Sequence, residues 1–294
     1  MSRPAGAPET RAAGWLNGLA GVLIFSGTIP ATRLAIAELD PVFLTWARAA
    51  IAGLVGGALL VLLRQPRPGR DDLRPLLVVS IAGVIGFPLL TALALRHITA
   101  AHAMVFIGLL PLATALFAVL RAGERPRPPF WFFSALGAAV VAGFALVEAP
   151  VGSATGDLLM LGAVAASGLA YAEGAVLTRR LGGWQVISWA LVLSLPIMLP
   201  LAWHGQPASW VSISRPALLA LAYVSLFSML IGFLFWYRGL VQGGIAAVGQ
   251  LQLLQPFLGL MLSAVILDEP VGWRVLAATV TVVACVAGAR RFAR

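Results

Sequence analysis

The chain has 294 residues, of which 60% are hydrophobic and only 11% are charged. An average soluble domain is about 45–50% apolar and about 25% charged, and this chain could not cover a soluble surface with polar groups. The composition excludes a cytosolic enzyme, a disordered protein and a nucleic-acid-binding domain. All 20 basic residues are arginines, and the net charge of +9 is spread along the chain, as in membrane proteins whose basic residues report topology.

Ten apolar stretches have the length of about 20 residues that a helix needs to cross a bilayer. They cover residues 15–37, 41–63, 73–95, 99–120, 130–147, 154–178, 184–202, 217–237, 244–267 and 272–289. The loops between them leave no room for a soluble domain, so we predict an all-α integral membrane protein in the lipid bilayer. A cleaved signal peptide ending near Ala35–Ala37 is an alternative for the first stretch, although the apolar run is long for one.

The arginines predict how the chain is oriented. With a cytoplasmic N-terminus, 15 arginines fall in cytoplasmic segments and four in the opposite ones, while Arg48 lies inside a span. This positive-inside distribution predicts that both termini are cytoplasmic. The predicted domains are a cytoplasmic tail 1–13, a first five-helix repeat 14–148, a second repeat 149–290 and a cytoplasmic tail 291–294.

The two predicted repeats rest on a match of the chain with itself at an offset of 145 residues. The least expected matched pairs are Pro111 with Pro256, Glu124 with Glu269, and Gly143 with Gly288. At an offset of 146, Phe25 aligns with Tyr171. Because each half has five helices, an odd number, the second half must enter the membrane in the opposite sense. Inverted repeats of this kind are typical of secondary transporters.

The repeated motif carries a family resemblance. Pro111 followed by Glu124-Arg125-Pro126 recurs as Pro256 followed by Asp268-Glu269-Pro270. With the two five-helix halves, over roughly residues 14–290 of the chain, the sequence resembles the drug/metabolite transporter (DMT) superfamily and specifically its EamA-type exporters. In length and layout it is most similar to the YddG-type exporters of aromatic amino acids. The stretch from Phe25 to Arg33 departs from the family's Trp-Gly…Lys pattern with phenylalanine for tryptophan and arginine for lysine.

The resemblance implies a secondary transporter that exports small metabolites, first of all aromatic amino acids, across the bacterial inner membrane by alternating access. It implies a cavity between helices 1, 3, 4, 6, 8 and 9, a small-molecule substrate, a monomer and no cofactor. Other cargo stays open, namely threonine-like amino acids, nucleosides or cationic drugs. A passive channel and a membrane-embedded lipid enzyme are alternatives from other classes. The sequence has no nucleotide-binding loop, metal-ligand cluster or hydrolase motif, so we expect neither an enzyme nor a metal site.

Prolines inside the spans are candidates for helix breaks or gating. Pro30, Pro111 and Pro256 each remove an amide donor and free the carbonyl four residues earlier. We predict that helices 1, 4 and 9 bend around a central site there; kinks that serve only packing are the alternative.

Polar and aromatic side chains within the spans are candidates for substrate contact. Gln252 and Gln255 are three residues apart and are predicted to share a helix face, with Gln250 pointing elsewhere. Their amides suit a zwitterionic ligand, although hydrogen bonds between helices would also explain them. The other candidates are Phe25, Phe87, His102, Phe106, Tyr171 and Trp236. The aromatic rings would favour planar apolar cargo by stacking, and packing or lipid contact is the alternative.

Ionisable residues within spans are functional candidates by default. Arg48, Glu173 and Arg238 are the predicted buried charges. Glu173 and Arg238 lie toward the same side and could form a structural pair. Alternatively, Glu173 or His102 carries a coupling proton, since histidine titrates near neutral pH.

Overall fold

The computed structural model describes residues 8–98, 100–148, 153–267 and 273–293, and every regular element in these ranges is a helix. We number ten helical units, several of them interrupted. They are α1 (Pro8–Ser26 and Thr28–Ala35), α2 (Pro41–Leu62), α3 (Arg70–Val78, Val79–Gly86 and Phe87–Ala94), α4 (Ala100–Ile107 and Leu110–Ala122), α5 (Pro128–Glu148), α6 (Ala154–Leu181), α7 (Gly183–His204), α8 (Arg215–Ala222, Tyr223–Ile231 and Gly232–Gly243), α9 (Ile245–Gly249, Gln250–Leu254 and Gln255–Leu267) and α10 (Trp273–Phe292).

Each predicted span corresponds to one helical unit, which confirms the all-helical membrane fold. Within the described residues, α1, α2, α3, α6, α7 and α8 are long and apolar enough to cross a membrane, and α4 and α5 contain shorter apolar helices. Several helices end later than predicted; α6, for example, ends at Leu181 and α8 at Gly243. Arg179 and Arg180 therefore lie in the last turn of α6, where basic side chains interact favourably with the negative end of the helix dipole.

Helices α3 and α8 each contain a π-helical segment at corresponding positions. The segments are Val79–Gly86 and Tyr223–Ile231, and the offset of 145 carries the first onto residues 224–231. Because π-helical turns are rare and often mark functional positions, two of them in register show that the repeat extends to backbone conformation.

The candidate gating prolines lie just after interruptions of their helices. Pro30, Pro111 and Pro256 are each within the first three residues of a new helical segment, in α1, α4 and α9 respectively. At that position the missing amide costs no hydrogen bond within the segment. In each case the α-helix is therefore interrupted just before the proline.

Helices from the two halves pack against each other in pairs. α1 lies along α8, α2 along α7 and α5 along α10, while α6 packs between α3 and α4. Small residues permit the closest of these approaches: a Cβ atom added to Gly239 of α8 would lie 2.6 Å from the backbone nitrogen of Gly18 in α1. Small residues play this part at helix contacts in membranes.

Polar contacts tie helix ends together at two levels of the bundle. At one, Arg96 pairs with Asp40 at 2.9 Å. At the same level, the hydroxyl and amide of Ser214 donate to Glu38 at 2.5 and 2.7 Å, and both bonds lower the pKa of that carboxyl, the hydroxyl bond more. The other level has a pair between Arg180 and Asp72 and one between the Gln185 and Gln65 amides. The structure thus joins the ends that the arginine distribution assigns to common sides.

We expect Gly239→Ala to lower the free energy of unfolding by about 1–3 kcal/mol, because α1 and α8 would have to move apart. Thermal unfolding of the purified protein in detergent measures the change. Gly143→Ala in α5 is the control, since a Cβ atom there meets no atom within 4 Å. Equal losses in the two variants would contradict the close approach of the backbones.

Candidate functional site

A narrow cavity lies at the centre of the bundle between six helices from both halves. Its free volume is about 20 Å³, roughly the room that one water molecule needs. The lining residues are Phe25, Thr28 and Ile29 of α1, Arg48 of α2, Gly83, Phe87 and Pro88 of α3, Ser167 and Tyr171 of α6, Ser228, Met229 and Phe233 of α8, and Gln255 of α9. This cavity differs from the predicted set of helices in that α2 contributes to it and no described residue of α4 does.

An aromatic cluster forms one wall of this central cavity. The rings of Phe25 and Tyr171 stack with their centroids 6.3 Å apart and their planes 14° from parallel. Phe233 and Trp236 pack on both rings, at centroid distances of 5.2–6.1 Å. These two rings come from positions that align at the offset of 146 in the predicted repeat. Of the predicted aromatic residues, Phe25, Phe87 and Tyr171 line the cavity, and Trp236 is fully buried behind it.

The opposite part of the cavity is polar and contains Arg48. This side chain is only 4% exposed, and its Nη2 donates to Ser228 Oγ at 3.2 Å. Ser228 in turn shares a 2.8 Å hydrogen bond with Thr28. Arg48 Nε and Gln255 Oε1 are both buried without a hydrogen-bond partner in the described part of the chain. The wall therefore presents an unused donor on a cation and an unused amide acceptor.

The three glutamines of α9 point to three different helices. Gln250 Oε1 accepts from Ser134 of α5 at 3.0 Å, and Gln252 Oε1 accepts from Thr114 of α4 at 3.2 Å. Gln255 Nε2 donates to the carbonyl of Phe25 in α1 at 3.4 Å. Gln252 and Gln255 therefore bond to different neighbours, although three-residue spacing keeps side chains close to one face in both an α-helix and the 3₁₀-helix that residues 250–254 form. Of the predicted pair, Gln255 lines the cavity and Gln252 does not.

His102 and Phe106 lie away from the central cavity. His102 Nε2 is 2.8 Å from Asp157 Oδ1 at the first turn of α6. The Phe106 ring lies 5.8 Å from the His102 ring and packs on an apolar cluster that includes Ile29. Both side chains thus join α4 to its neighbours.

Glu173 forms an ion pair with Arg121 rather than with Arg238. Arg121 Nε and Nη2 each donate to a different carboxylate oxygen of Glu173 at 2.8 Å. The predicted Glu173–Arg238 pair is therefore wrong. Arg121 was assigned to a cytoplasmic segment, but α4 extends to Ala122 and brings this arginine against α6. The pair borders a second cavity of about 680 Å³, here named the inner cavity, which Arg70, Asp71, Arg74, Pro75 and Val78 also line.

Glu124 of the repeated motif caps the first turn of α9. Its two carboxylate oxygens accept the backbone N–H groups of Ile245 and Ala246, both at 2.8 Å. A carboxylate at a helix N-terminus satisfies free amides and the positive end of the dipole. Sequence reasoning missed this role, although the match of Glu124 with Glu269 marked the position. The second copy, Asp268-Glu269-Pro270, lies outside the described residues.

We expect Arg121→Gln to destabilise the protein more than Glu173→Gln does. The Glu173 side chain is 6% exposed and that of Arg121 is 49% exposed, so losing the arginine leaves a buried carboxylate unpaired, at a cost of about 3 kcal/mol. Losing the glutamate leaves an arginine that water can solvate, at a cost of about 1 kcal/mol or less.

Unfolding of both variants and of the double variant in detergent tests this asymmetry. Arg96→Gln and Asp40→Asn are the controls, because both members of that pair are half exposed and should lose equally little. Equal losses for Arg121→Gln and Glu173→Gln would contradict the asymmetry.

Comparisons with known proteins agree with this architecture. The EamA-like transporter family matches residues 12–146 and again residues 154–290. The "Uncharacterized transporter YdeK" of Bacillus subtilis (strain 168) is 66% identical over 281 residues, covering 96% of this chain and 98% of that protein. The "Uncharacterized transporter YvbV" of the same organism is 26% identical over 289 residues, covering 94% and 90%.

One crystal structure superposes with a TM-score of 0.77 at 23% identity, covering 97% of this chain and 98% of the other, which shows the fold alone. The protein is a multi-pass transporter of the bacterial cell membrane and not an enzyme, as the sequence predicts. With both halves matched, the chain belongs to the EamA-like transporter family within the DMT superfamily.

Proposed function

We propose that the protein is a secondary transporter that exports small metabolites, first of all aromatic amino acids, by alternating access. One observation carries this proposal: both halves of the chain line the central cavity, and Phe25 and Tyr171, which align in the predicted repeat, stack beside it. Planar cargo would replace this ring-to-ring contact with contacts of its own. The polar side of the cavity would then hold the charged or hydrogen-bonding end of the substrate.

Alternating access requires that the cavity open by movement of the helices around it. The central cavity has room for about one water molecule, whereas the inner cavity has about 680 Å³. Tyr171 borders the first cavity and Glu173 the second, so α6 runs between them. We assign the helix interruptions before Pro30, Pro111 and Pro256 as hinges, because the backbone ladder is already broken there. Glu173 remains our candidate for proton coupling, since a proton on its carboxylate would weaken the ion pair with Arg121.

We also propose the predicted topology, with cytoplasmic termini, an inner cavity open to the cytoplasm, and inverted repeats at 14–148 and 149–290. Contacts between helix ends in the described part of the chain support the assignment of ends to common sides, because they join ends that the arginine distribution places together. Arg180 with Asp72 and Arg121 with Glu173 share one level. Arg96 with Asp40 and Ser214 with Glu38 share the other.

Counterflow in proteoliposomes tests the transport mechanism. Vesicles loaded with phenylalanine should take up labelled phenylalanine faster than empty ones, because a carrier is accelerated by substrate on the far side. Loading with nucleosides or organic cations tests other cargo. A passive channel shows no trans-stimulation, and an enzyme changes the solute chemically. Absence of counterflow with all these solutes would contradict the proposed function.

In the same assay, we expect Tyr171→Ala to lower counterflow about three- to tenfold, the loss of one aromatic contact of about 0.5–1.5 kcal/mol. Phe132→Ala in α5 is the matched control, because that ring is 64% exposed at the protein surface and should leave transport unchanged. Equal effects of the two substitutions would show that Tyr171 does not contact the substrate.

Cysteine labelling tests the topology. In a Cys285→Ser background, we expect a membrane-impermeant maleimide to label Ser209→Cys, between α7 and α8, in intact cells. Arg67→Cys, between α2 and α3, should react only after the cells are permeabilised. The reverse pattern would invert the proposed orientation, and labelling of both sites in intact cells would contradict it.

A further inference from the structure

We propose that the substrate is a net-anionic carboxylate with a planar apolar body, and that its carboxylate binds the guanidinium of Arg48. The inference rests on the proposed transport through the central cavity and specifies which substrate that cavity selects. It favours aromatic acids over the zwitterionic amino acids that the resemblance implies.

Arg48 is a buried cation without a carboxylate partner among the described residues. Six carboxylates in the described part of the chain have partners elsewhere: Asp40 with Arg96, Asp72 with Arg180, Asp157 with His102, Glu173 with Arg121, Glu38 with Ser214, and Glu124 with Ile245 and Ala246. None of the described residues that line the central cavity is acidic. A charge held within the membrane without a partner is expensive, and a bound anion would remove that cost.

The guanidinium is positioned to receive such an anion. Ser228 holds Nη2 on one side and is itself fixed by Thr28, so three helices orient the group. The Nε–H has no partner and belongs to the planar set of donors that matches the two oxygens of a carboxylate. The aromatic wall of Phe25, Tyr171 and Phe233 borders the same cavity. One molecule could therefore meet the cation at its acidic end and the rings with its body.

Charge balance favours an anion over a zwitterion. A monoanion beside Arg48 gives a neutral complex, whereas a zwitterion leaves one net positive charge in a region of low dielectric constant. No described lining residue offers a carboxylate to an ammonium group. Gln255 Oε1 offers one neutral acceptor, which suits a hydroxyl or amide hydrogen. A cationic drug would meet Arg48 as a like charge.

The inner cavity has the same preference. Arg70, Arg74 and Arg121 line it together with Asp71 and Glu173, so its formal charge is positive. A positive cavity raises the local concentration of anions. On the proposed topology, this cavity would collect anionic substrate from the cytoplasm.

Ligand binding to the full-length protein in detergent tests the inference, with four probes that share a phenyl ring. They are phenylacetate, phenylalanine, phenethylamine and phenylacetamide. We expect phenylacetate to raise the melting temperature and phenylacetamide to leave it unchanged. Phenylalanine should bind at least about tenfold more weakly than phenylacetate, and phenethylamine should not bind. Phenylacetate should also show counterflow.

Variants then assign the effect to Arg48. We expect Arg48→Gln to weaken phenylacetate binding at least about tenfold and Arg48→Lys to retain part of it, because lysine keeps the charge without the planar fork. Arg96→Gln is the matched control, since its pair with Asp40 lies at an exposed helix end. If Arg48→Gln does not fold, the probe series on the unmodified protein and Arg48→Lys decide the question.

The outcomes separate this inference from the proposed function. Equal binding of the acid and its amide, of the acid and the zwitterion, or of phenylacetate to Arg48→Gln and the unmodified protein would overturn the inference. If neutral or cationic solutes show counterflow and Arg48→Gln leaves that counterflow unchanged, the inference about Arg48 is overturned but the proposed transport function is not. Phenylacetate binding that needs Arg48, with no counterflow of any solute, would support the site and contradict the proposed mechanism.

Discussion

Hydrogen bonds that a helix gives up inside a bilayer must be replaced by protein, because lipid offers no donors or acceptors. The interruption of α1 shows how this is done. Ser26 Oγ donates back to the Val22 carbonyl at 2.7 Å, Tyr223 of α8 donates to Ile24 at 2.6 Å, and Gln255 of α9 donates to Phe25. Repairing one interruption thus requires two helices of the other half. The same contacts bring Phe25 and Gln255 to the central cavity, so the repair also builds the site.

The free-energy cost of burying a charge in the membrane also determines how the charged side chains are placed and paired. Each ion pair of the described residues has at least one partly exposed member. Arg48 departs from this pattern, because it is buried within α2 and bonds, among the described residues, to the hydroxyl of Ser228. An uncompensated cation persists only where the surrounding structure supports it. Burying Arg48 does not stabilise the fold, and this residue is therefore the one that most directly indicates a ligand.

Features that depend on composition or on repeated spacing could be predicted from the sequence. The lengths of the apolar stretches predicted the ten helical units, and the repeated motif of prolines and glutamates indicated the family. Features that depend on which helices touch could not be predicted. Glu173 binds Arg121 because α4 extends past its apolar stretch. Gln252 and Gln255 bond to different helices, α4 and α1, because of where those helices pack against α9. The sequence marked Arg48 as a buried charge within a span, but it could not show which helices surround it, since α2 is apolar around most of its circumference.

The two halves share a scaffold but not the chemistry of the site. The π-helical segments of α3 and α8 occupy matching positions, and Phe25 stacks on Tyr171 where the repeats meet. At the offset of 143 that aligns Thr45-Trp46 with Ser188-Trp189, however, Arg48 corresponds to Leu191, a fully buried apolar residue. Matching backbones allow the halves to exchange conformations, which alternating access needs. If Arg48 binds the substrate as proposed, a charge at this position of one half would fix which end of the substrate faces which repeat, so movement could be symmetric while recognition is not.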